Sequence, residues 1–262
     1  MKQVFKDTTT PFVLNYQEFP ILNISKISIK TSDKNWLNRF YSAKLMIKMV
    51  AISNDNPPLS IATKEEPLNF SNYISSQHTG FDLSINRYYK LEDDNLPNDE
   101  LKSHKLFKFI ITLHNIDLNS DEEIIVEYMD NAHVKKRVDD WEHRVSSLIE
   151  QIRNWNIDNI EIRASRNYLM HEGLMKQFNV PMRQILSVSI FQNDKLKIAI
   201  KPFGLWIMGA NGRIDLLTQN GNNVLVDEAQ QFDTPKWKLY PLDNKKTGVD
   251  FNKNEFIKLL NQ

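Results

Sequence analysis

The chain has 262 residues, of which 41% are hydrophobic and 25% charged, a composition that excludes a disordered or fibrous protein. Its 33 basic and 33 acidic residues balance, so bulk charge gives no footprint for non-specific nucleic-acid binding. The lack of cysteine excludes disulfides, thiolate metal sites and cysteine nucleophiles. Because the sequence has no long apolar run and no signal-like N-terminus, we expect a cytoplasmic protein without membrane contact.

The first half of the chain is predicted to be β-rich. Runs of β-branched and other apolar residues with rough alternation cover residues 24–29, 45–52 and 106–113, which is typical of strands that bury one face. We therefore predict a sandwich- or barrel-like domain over residues 1–130 that serves recognition or interaction.

A helical stripe follows this region and predicts a long helix over residues 134–155. The apolar residues recur at steps of three and four: Val134, Val138, Trp141, Val145, Leu148, Ile152 and Trp155. Such spacing permits a coiled-coil contact with a partner chain or a second copy. We favour a connecting helix packed on the protein's own sheets, because three heptads is short for a free-standing coil. The basic side chains beside the stripe are interleaved with acidic ones and predict a solvated face: Lys135, Lys136, Arg137, Arg144 and Arg153.

The remainder of the chain is predicted to form a second domain, residues 131–262, with flanking helices on an antiparallel or mixed sheet. We predict a short helix over residues 168–178 and a C-terminal helix over residues 253–260 capped by Asn252. Between them lie strand-like segments separated by turn pairs such as Asn-Gly: 184–191, 195–201, 205–208, 213–218 and 224–228. The chain as a whole is therefore predicted to be α+β.

Glycines mark one stretch of this second domain as a candidate site. Four of the seven glycines lie between Gly204 and Gly221, which indicates tight turns or close approach of the backbone to another group. Asp215 interrupts an otherwise apolar strand, and Asp227 and Glu228 end the strand expected to pair with it. Because a buried carboxylate is costly without compensation, we expect a cation or a hydrogen-bond donor beside these acids.

The acidic hairpin resembles the core of the PD-(D/E)XK, or restriction-endonuclease-like, nucleases over residues 170–230. The resemblance implies that Asp215 and Glu228 hold Mg²⁺ or Mn²⁺, which would activate a water for phosphodiester hydrolysis. It also implies an auxiliary ligand or base at Glu172 and a water-positioning residue at Gln230. The family has a lysine at the position of Gln230, so the resemblance is compatible with an active or a degenerate nuclease.

These observations leave three functions open. The leading one is a magnesium-dependent endonuclease that binds DNA, by analogy a component of a bacterial restriction or phage-defence system. The second is a non-catalytic interaction or scaffold subunit of a protein complex, which the lack of the lysine and the neutral charge favour. The third is a ligand-sensing module in which the glycine turns and Trp206 and Trp237 line a small-molecule pocket.

Overall fold

The chain forms two units, Met1–Ala132 (unit 1) and His133–Gln262 (unit 2). The structure is a computed structural model that describes the following residues: 1–18, 20–33, 39–40, 42–52, 58–68, 80–89, 104, 106–165, 168–241 and 247–261.

Strands outnumber helices in both units. Three helices lie wholly within the described residues: α1 (Asn131–Asn154), α2 (Gly173–Gln177) and α3 (Lys253–Leu260). The strands of unit 1 are β1 (Lys2–Phe5), β2 (Phe12–Tyr16), β3 (Leu22–Lys30), β4 (Lys44–Ile52), β5 (Leu59–Pro67), β6 (Gly80–Tyr89), β7 (Leu106–His114) and β8 (Glu123–Asp130). The strands of unit 2 are β9 (Ile160–Ala164), β10 (Tyr168–Met170), β11 (Arg183–Ile185), β12 (Val188–Gln192), β13 (Lys195–Gly204), β14 (Arg213–Thr218), β15 (Gly221–Asp227), β16 (Trp237–Tyr240) and β17 (Val249–Asp250).

Unit 1 is a sandwich of two antiparallel four-stranded sheets. Their strand orders are β1-β8-β3-β6 and β2-β7-β4-β5. Along β7 and β8 buried side chains alternate with half-buried ones, as expected when each sheet turns one face to a core. That core is shared, because Ile27 and Val126 of the first sheet belong to one buried cluster with Ile47 and Phe109 of the second.

Unit 2 is built on one antiparallel seven-stranded sheet in the order β17-β16-β15-β14-β13-β12-β9, and β10 and β11 form a separate ribbon. Helix α1 packs on this sheet, with the ring centroid of Trp141 at 6.1 Å from that of Trp237. At the C-terminal end of α1, the ring of Trp155 lies 5.4 Å from that of Phe256 in α3. The helix and the sheet therefore share one core.

The turn residues explain why the sheet of unit 2 has this register. Asn193 and Asp194 both have positive φ, 49° and 59°, as the two central residues of a two-residue hairpin turn require. Gly221, with φ 136°, begins β15 directly after the turn from β14. Asn252 caps α3, since its side-chain oxygen accepts from the backbone N–H groups of Asn254 and Glu255, which confirms the predicted cap.

The predicted α+β class is wrong, because the fold is mainly β. The helix predicted over residues 168–178 is strand β10 followed by the five-residue helix α2. Strand β10 pairs with β11, so cross-strand hydrogen bonds outweigh the local helical preference of this segment. The described strands of unit 2 pair only in antiparallel fashion, and the segment predicted as a strand at 205–208 is part of a turn.

The apolar stripe of α1 is buried within the protein. Val134, Val138, Val145 and Ile152 have no exposed surface, so a coiled coil made by this stripe would require α1 to leave its own sheet. The prediction of a solvated charged face is wrong in part, because Arg137 and Arg144 are also buried. Within the described residues, no helix combines the length and apolar character needed to cross a bilayer.

Candidate functional site at the loop end of unit 2

The two connections of the central strands of unit 2 meet at one end of the sheet, the loop end. Turn 205–212 joins β13 to β14, and loop 228–236 joins β15 to β16. Because these strands are antiparallel neighbours, both connections leave from the same end. The register of β13 shifts between Pro202 and Gly204, so Phe203 forms a bulge directly before the turn.

Asp215 lies on β14 with its side chain on the half-exposed face of the sheet, while its neighbours Ile214 and Leu216 point into the core. The carboxylate accepts a hydrogen bond of 2.8 Å from Nε of Arg213, two residues earlier on the same strand. The guanidinium of Arg213 also stacks over the ring of Phe203 at 4.3 Å. The cation that balances Asp215 is therefore a side chain of its own strand.

Glu228 is exposed just beyond the end of β15. Its carboxylate accepts a hydrogen bond of 2.6 Å from the hydroxyl of Tyr240 and lies 3.8 Å from Nζ of Lys238. The hydrogen bond to Glu228 raises the pKa of Tyr240, because it favours the neutral hydroxyl. Gln230 is also exposed, and its backbone oxygen accepts from the amide of Asn211.

The strand register separates the two predicted metal ligands. Asp215 pairs with Val224, and Glu228 follows Val224 by four residues. Both side chains belong to the same face of the sheet, but they are separated by about 13 Å along the strand direction at about 3.3 Å per residue. Among the described residues, no three His, Asp or Glu side chains are grouped as a metal site would require.

Glu172 directly precedes α2 and holds the start of turn 205–212. Its two carboxylate oxygens accept from the backbone N–H groups of Leu205, at 2.8 Å, and Trp206, at 3.2 Å. A Cβ added to Gly204 would lie 3.5 Å from this carboxylate. Glu172 therefore fixes the path of the turn by binding its backbone.

The buried carboxylate at this end of the sheet is Asp227, which is fully buried. One of its oxygens accepts from Nη1 of Arg144 at 2.6 Å, and the other accepts from the backbone N–H groups of Ala229 and Lys236. Arg144 is itself 2% exposed, and its Nε donates to Asp140 at 2.8 Å. This pair anchors loop 228–236 to helix α1.

Arg137 is the second buried cation of α1, at 3% exposure. Its Nη1 donates to Asp140 at 3.0 Å, and its Nη2 donates to the amide oxygen of Asn211 in turn 205–212. Its Nε is buried and has no hydrogen-bond partner within the described residues. Burial lowers the pKa of Arg137 below its usual value, although the nearby Asp140 opposes this effect.

A cleft of about 520 Å³ opens between the two connections, with Arg137 among its lining residues. Turn 205–212 contributes one wall, including Trp206, Ile207 and Ala210, and residues 228–231 contribute the other. Its volume falls in the range of about 300–1,000 Å³ that small-molecule sites occupy. The tryptophan expected beside a pocket is thus Trp206, whereas Trp237 packs against Trp141.

Apolar side chains are exposed around this cleft. Met208, at the tip of turn 205–212, is fully exposed, and Phe203 and Phe232 are 52% and 38% exposed. Large apolar side chains that gather on loops of a rigid sheet are typical of surfaces that bind other molecules.

Sequence reasoning missed the buried network of Arg137, Arg144, Asp140 and Asp227. The spacing of the two arginines in the sequence could have indicated it. Arg137 and Arg144 are separated by seven residues, so they lie on one face of α1, and Arg144 precedes the buried Val145. Asp227 belongs to the inward-facing positions of β15, whereas Glu228 lies on the opposite face. The buried acid that the sequence predicts in this hairpin, with a cation or a hydrogen-bond donor beside it, is therefore Asp227.

Comparisons with known proteins give no family. No protein-family model matches this chain, and no curated protein matches it. Among solved structures, the chain is similar to the binding domain of botulinum neurotoxin serotype G, with a TM-score of 0.21 and 13% sequence identity. The match covers 92% of this chain and 66% of that domain, so the chain spans just under two thirds of its length. A TM-score this low does not establish a shared fold.

Proposed function

We propose that the chain is a non-catalytic interaction component and that it binds through the loop end of unit 2. The observation that supports this proposal is the placement of Asp215 and Glu228, four positions apart along the paired strands and each with a partner of its own. A shared Mg²⁺ would require their oxygens to converge, since the ion is held at about 2.1 Å from each ligand.

The partners of these acids support the same proposal. Arg213 already neutralises Asp215, and a cation bound there would have to displace its guanidinium from both the carboxylate and the ring of Phe203. The carboxylate of Glu228 likewise has two partners, the hydroxyl of Tyr240 and the ammonium group of Lys238. The exposed Met208, Phe203 and Phe232 give the loop end the residue types that form the centres of binding surfaces.

The experiment is a cleavage assay with the full chain, Mg²⁺ or Mn²⁺, and single- and double-stranded DNA and RNA. We expect no metal-dependent cleavage. In calorimetric titrations with Mn²⁺, we expect Asp215→Asn and Glu228→Gln to give the same heat as the wild type. The control is Asp194→Asn, because Asp194 is an exposed acid in the turn between β12 and β13.

The nuclease prediction would be established, and the interaction role rejected, by one outcome: cleavage is lost in both Asp215→Asn and Glu228→Gln and retained in Asp194→Asn, with all three variants folded.

Helix α1 provides a second check. We expect Val145→Lys to unfold unit 2 instead of releasing a partner, because Val145 has no exposed surface.

A further inference from the structure

Three features of the loop end converge on Arg137: an unsatisfied donor, a cleft and a strained residue. The guanidinium has three nitrogens in a fixed plane, and Nε is the one that the described residues leave without an acceptor. A buried donor without an acceptor costs about 1–3 kcal/mol, so native proteins contain few such groups and each one calls for an explanation.

The strained residue is Phe232, which follows the cleft residue Gln231. Among the described residues other than glycine, seven have positive φ, and six of them are Asn or Asp, the types that tolerate this conformation. Phe232, with φ 66°, is the seventh. A bulky residue in this region is held at a cost of about 1–2 kcal/mol, and such outliers are concentrated at binding and catalytic sites.

The strained backbone brings the Phe232 ring to the two cations at the start of α1. The ring centroid lies 4.5 Å from Nζ of Lys136 and 5.6 Å from the guanidinium carbon of Arg137. Loop 228–236 thus covers Arg137 from one side while the cleft reaches it from another. Because Nε is buried, a ligand in the cleft would reach it only after a movement of the residues around Arg137.

The charges around the cleft indicate what such a movement would admit. Arg137 and Arg144 share Asp140, and Asp227 pairs with Arg144, so the buried set contains two cations and two carboxylates. The exposed Lys136 adds a positive charge beside Phe232. Glu228 brings the one acidic group among the lining residues, and Lys238 lies 3.8 Å from it.

We propose that the cleft between turn 205–212 and residues 228–231 binds a small ligand that carries an oxyanion, a carboxylate or a phosphate, on an apolar or aromatic body. The oxyanion would accept from Nε of Arg137, since guanidinium groups match the geometry of both anions. The body would lie against Trp206 and Ile207. This proposal rests on the non-catalytic binding role of the loop end and names its ligand class.

The test is calorimetric titration of the full chain with phenyl phosphate and with benzoate. Two compounds serve as controls: benzyl alcohol has the aromatic body without the charge, and inorganic phosphate has the anion without the body. We expect at least one of the two aromatic anions to bind with a dissociation constant on the order of 1 mM or tighter, and the tighter of the two identifies the preferred oxyanion. Benzyl alcohol and inorganic phosphate should bind at least about 10-fold more weakly, because each lacks half of the recognition.

Two variants locate the site. Arg137→Lys keeps the charge but removes Nε, and we expect affinity to fall by about 10-fold or more. Arg137 is buried and this change also affects Asp140 and Asn211, so a second variant is needed. Ala210→Trp fills the cleft from turn 205–212 and leaves Arg137 intact. The matched control is Ala164→Trp, since Ala164 is exposed at the end of the edge strand β9.

The proposal is overturned if neither aromatic anion binds at about 10 mM, a concentration that would reveal even weak sites. It is also overturned if binding is unchanged in folded Ala210→Trp. Inorganic phosphate that binds as tightly as phenyl phosphate and is insensitive to both variants would mean an adventitious ion only. None of these results affects the metal and cleavage assays, so failure of the ligand proposal and failure of the non-catalytic role are distinguishable.

Discussion

The buried charges of the two units differ in how completely their hydrogen bonds are satisfied. In unit 1, the carboxylate of Glu122 accepts from both Nη atoms of Arg39 at 2.9 Å, from the hydroxyl of Thr31 at 2.6 Å and from the backbone N–H of Asn119 at 2.8 Å. In unit 2, Arg137 has acceptors for Nη1 and Nη2 but none for Nε within the described residues.

The two networks differ in what burial costs the charged group. Burial acts to raise the pKa of Glu122, yet the bonds from Arg39, Thr31 and Asn119 together lower it, so the network favours the charged form. A fully satisfied network of this kind favours a single arrangement of its members. At Arg137 the opposite holds, because burial has a cost that the acceptors among the described residues do not fully offset.

The largest effect should come from Arg144, the satisfied cation beside Arg137. Arg144→Met leaves the fully buried Asp227 without its cation, and loss of one partner of a buried pair costs about 3–5 kcal/mol. We expect this decrease in the free energy of unfolding of unit 2, measured by urea titration. The control is Arg153→Met on the same helix, whose partner Glu150 is exposed, with an expected loss below about 1 kcal/mol. Equal losses for the two variants would show that the buried pair contributes no more to the free energy of unfolding than the exposed pair does.

A smaller effect is expected from Glu122→Gln in unit 1. The change keeps the shape but removes the charge that Arg39 and Thr31 bind, so stability near neutral pH should fall by about 1–3 kcal/mol. Because the folded state lowers the pKa of Glu122, the wild-type advantage is present above the unfolded pKa and is lost as pH falls through the folded value.

The measurement compares unfolding free energies of wild type and Glu122→Gln at pH 7 and near pH 3. We expect the gap between them to narrow in acid. Glu123→Gln is the matched control, since Glu123 is the next residue along the chain and pairs with Lys30 and Lys6 at the surface. A gap that stays constant with pH would mean that the charge of Glu122 contributes nothing.

The smallest effect, and the one that best separates strain from packing, concerns Phe232. Asn tolerates positive φ, so Phe232→Asn relieves the backbone while it removes the ring, and we expect unchanged or increased stability. Phe203→Asn is the matched control, because this ring is also exposed and stacked under a cation, and we expect a loss of about 0.5–1 kcal/mol. A thermal melt of each variant checks the pair, and a loss for Phe232→Asn as large as that for Phe203→Asn would argue against strain.

Much of the strand and helix pattern follows from the sequence. The stripe from Val134 to Ile152 predicts α1, since helical periodicity over about five turns leaves few alternatives, and strand β14 has the predicted bounds. The pattern failed at β10, because pairing of Tyr168 with Ile185 is a contact that local periodicity does not encode. The α+β class failed with it.

The turn at the loop end was predicted, but the surroundings of each acid were not. The glycines indicated the turn correctly, and Gly212 shows why: a Cβ there would lie 2.2 Å from the ring of Trp141. The acids were assigned by resemblance, whereas the structure distinguishes them by which face of the strand they occupy. Asp227 is buried and Glu228 is exposed, although the two are adjacent in the chain.

The pairing of β1 with β8 has a consequence for biosynthesis. Lys2 pairs with Glu127, so the sheet that contains β1 cannot be completed until the ribosome has released almost all of unit 1. In unit 2 each strand from β12 to β17 pairs with the next one along the chain, so that sheet can assemble one hairpin at a time. We therefore expect the sandwich, whose paired strands are far apart in sequence, to fold more slowly and to leave an incomplete sheet edge exposed for longer during translation.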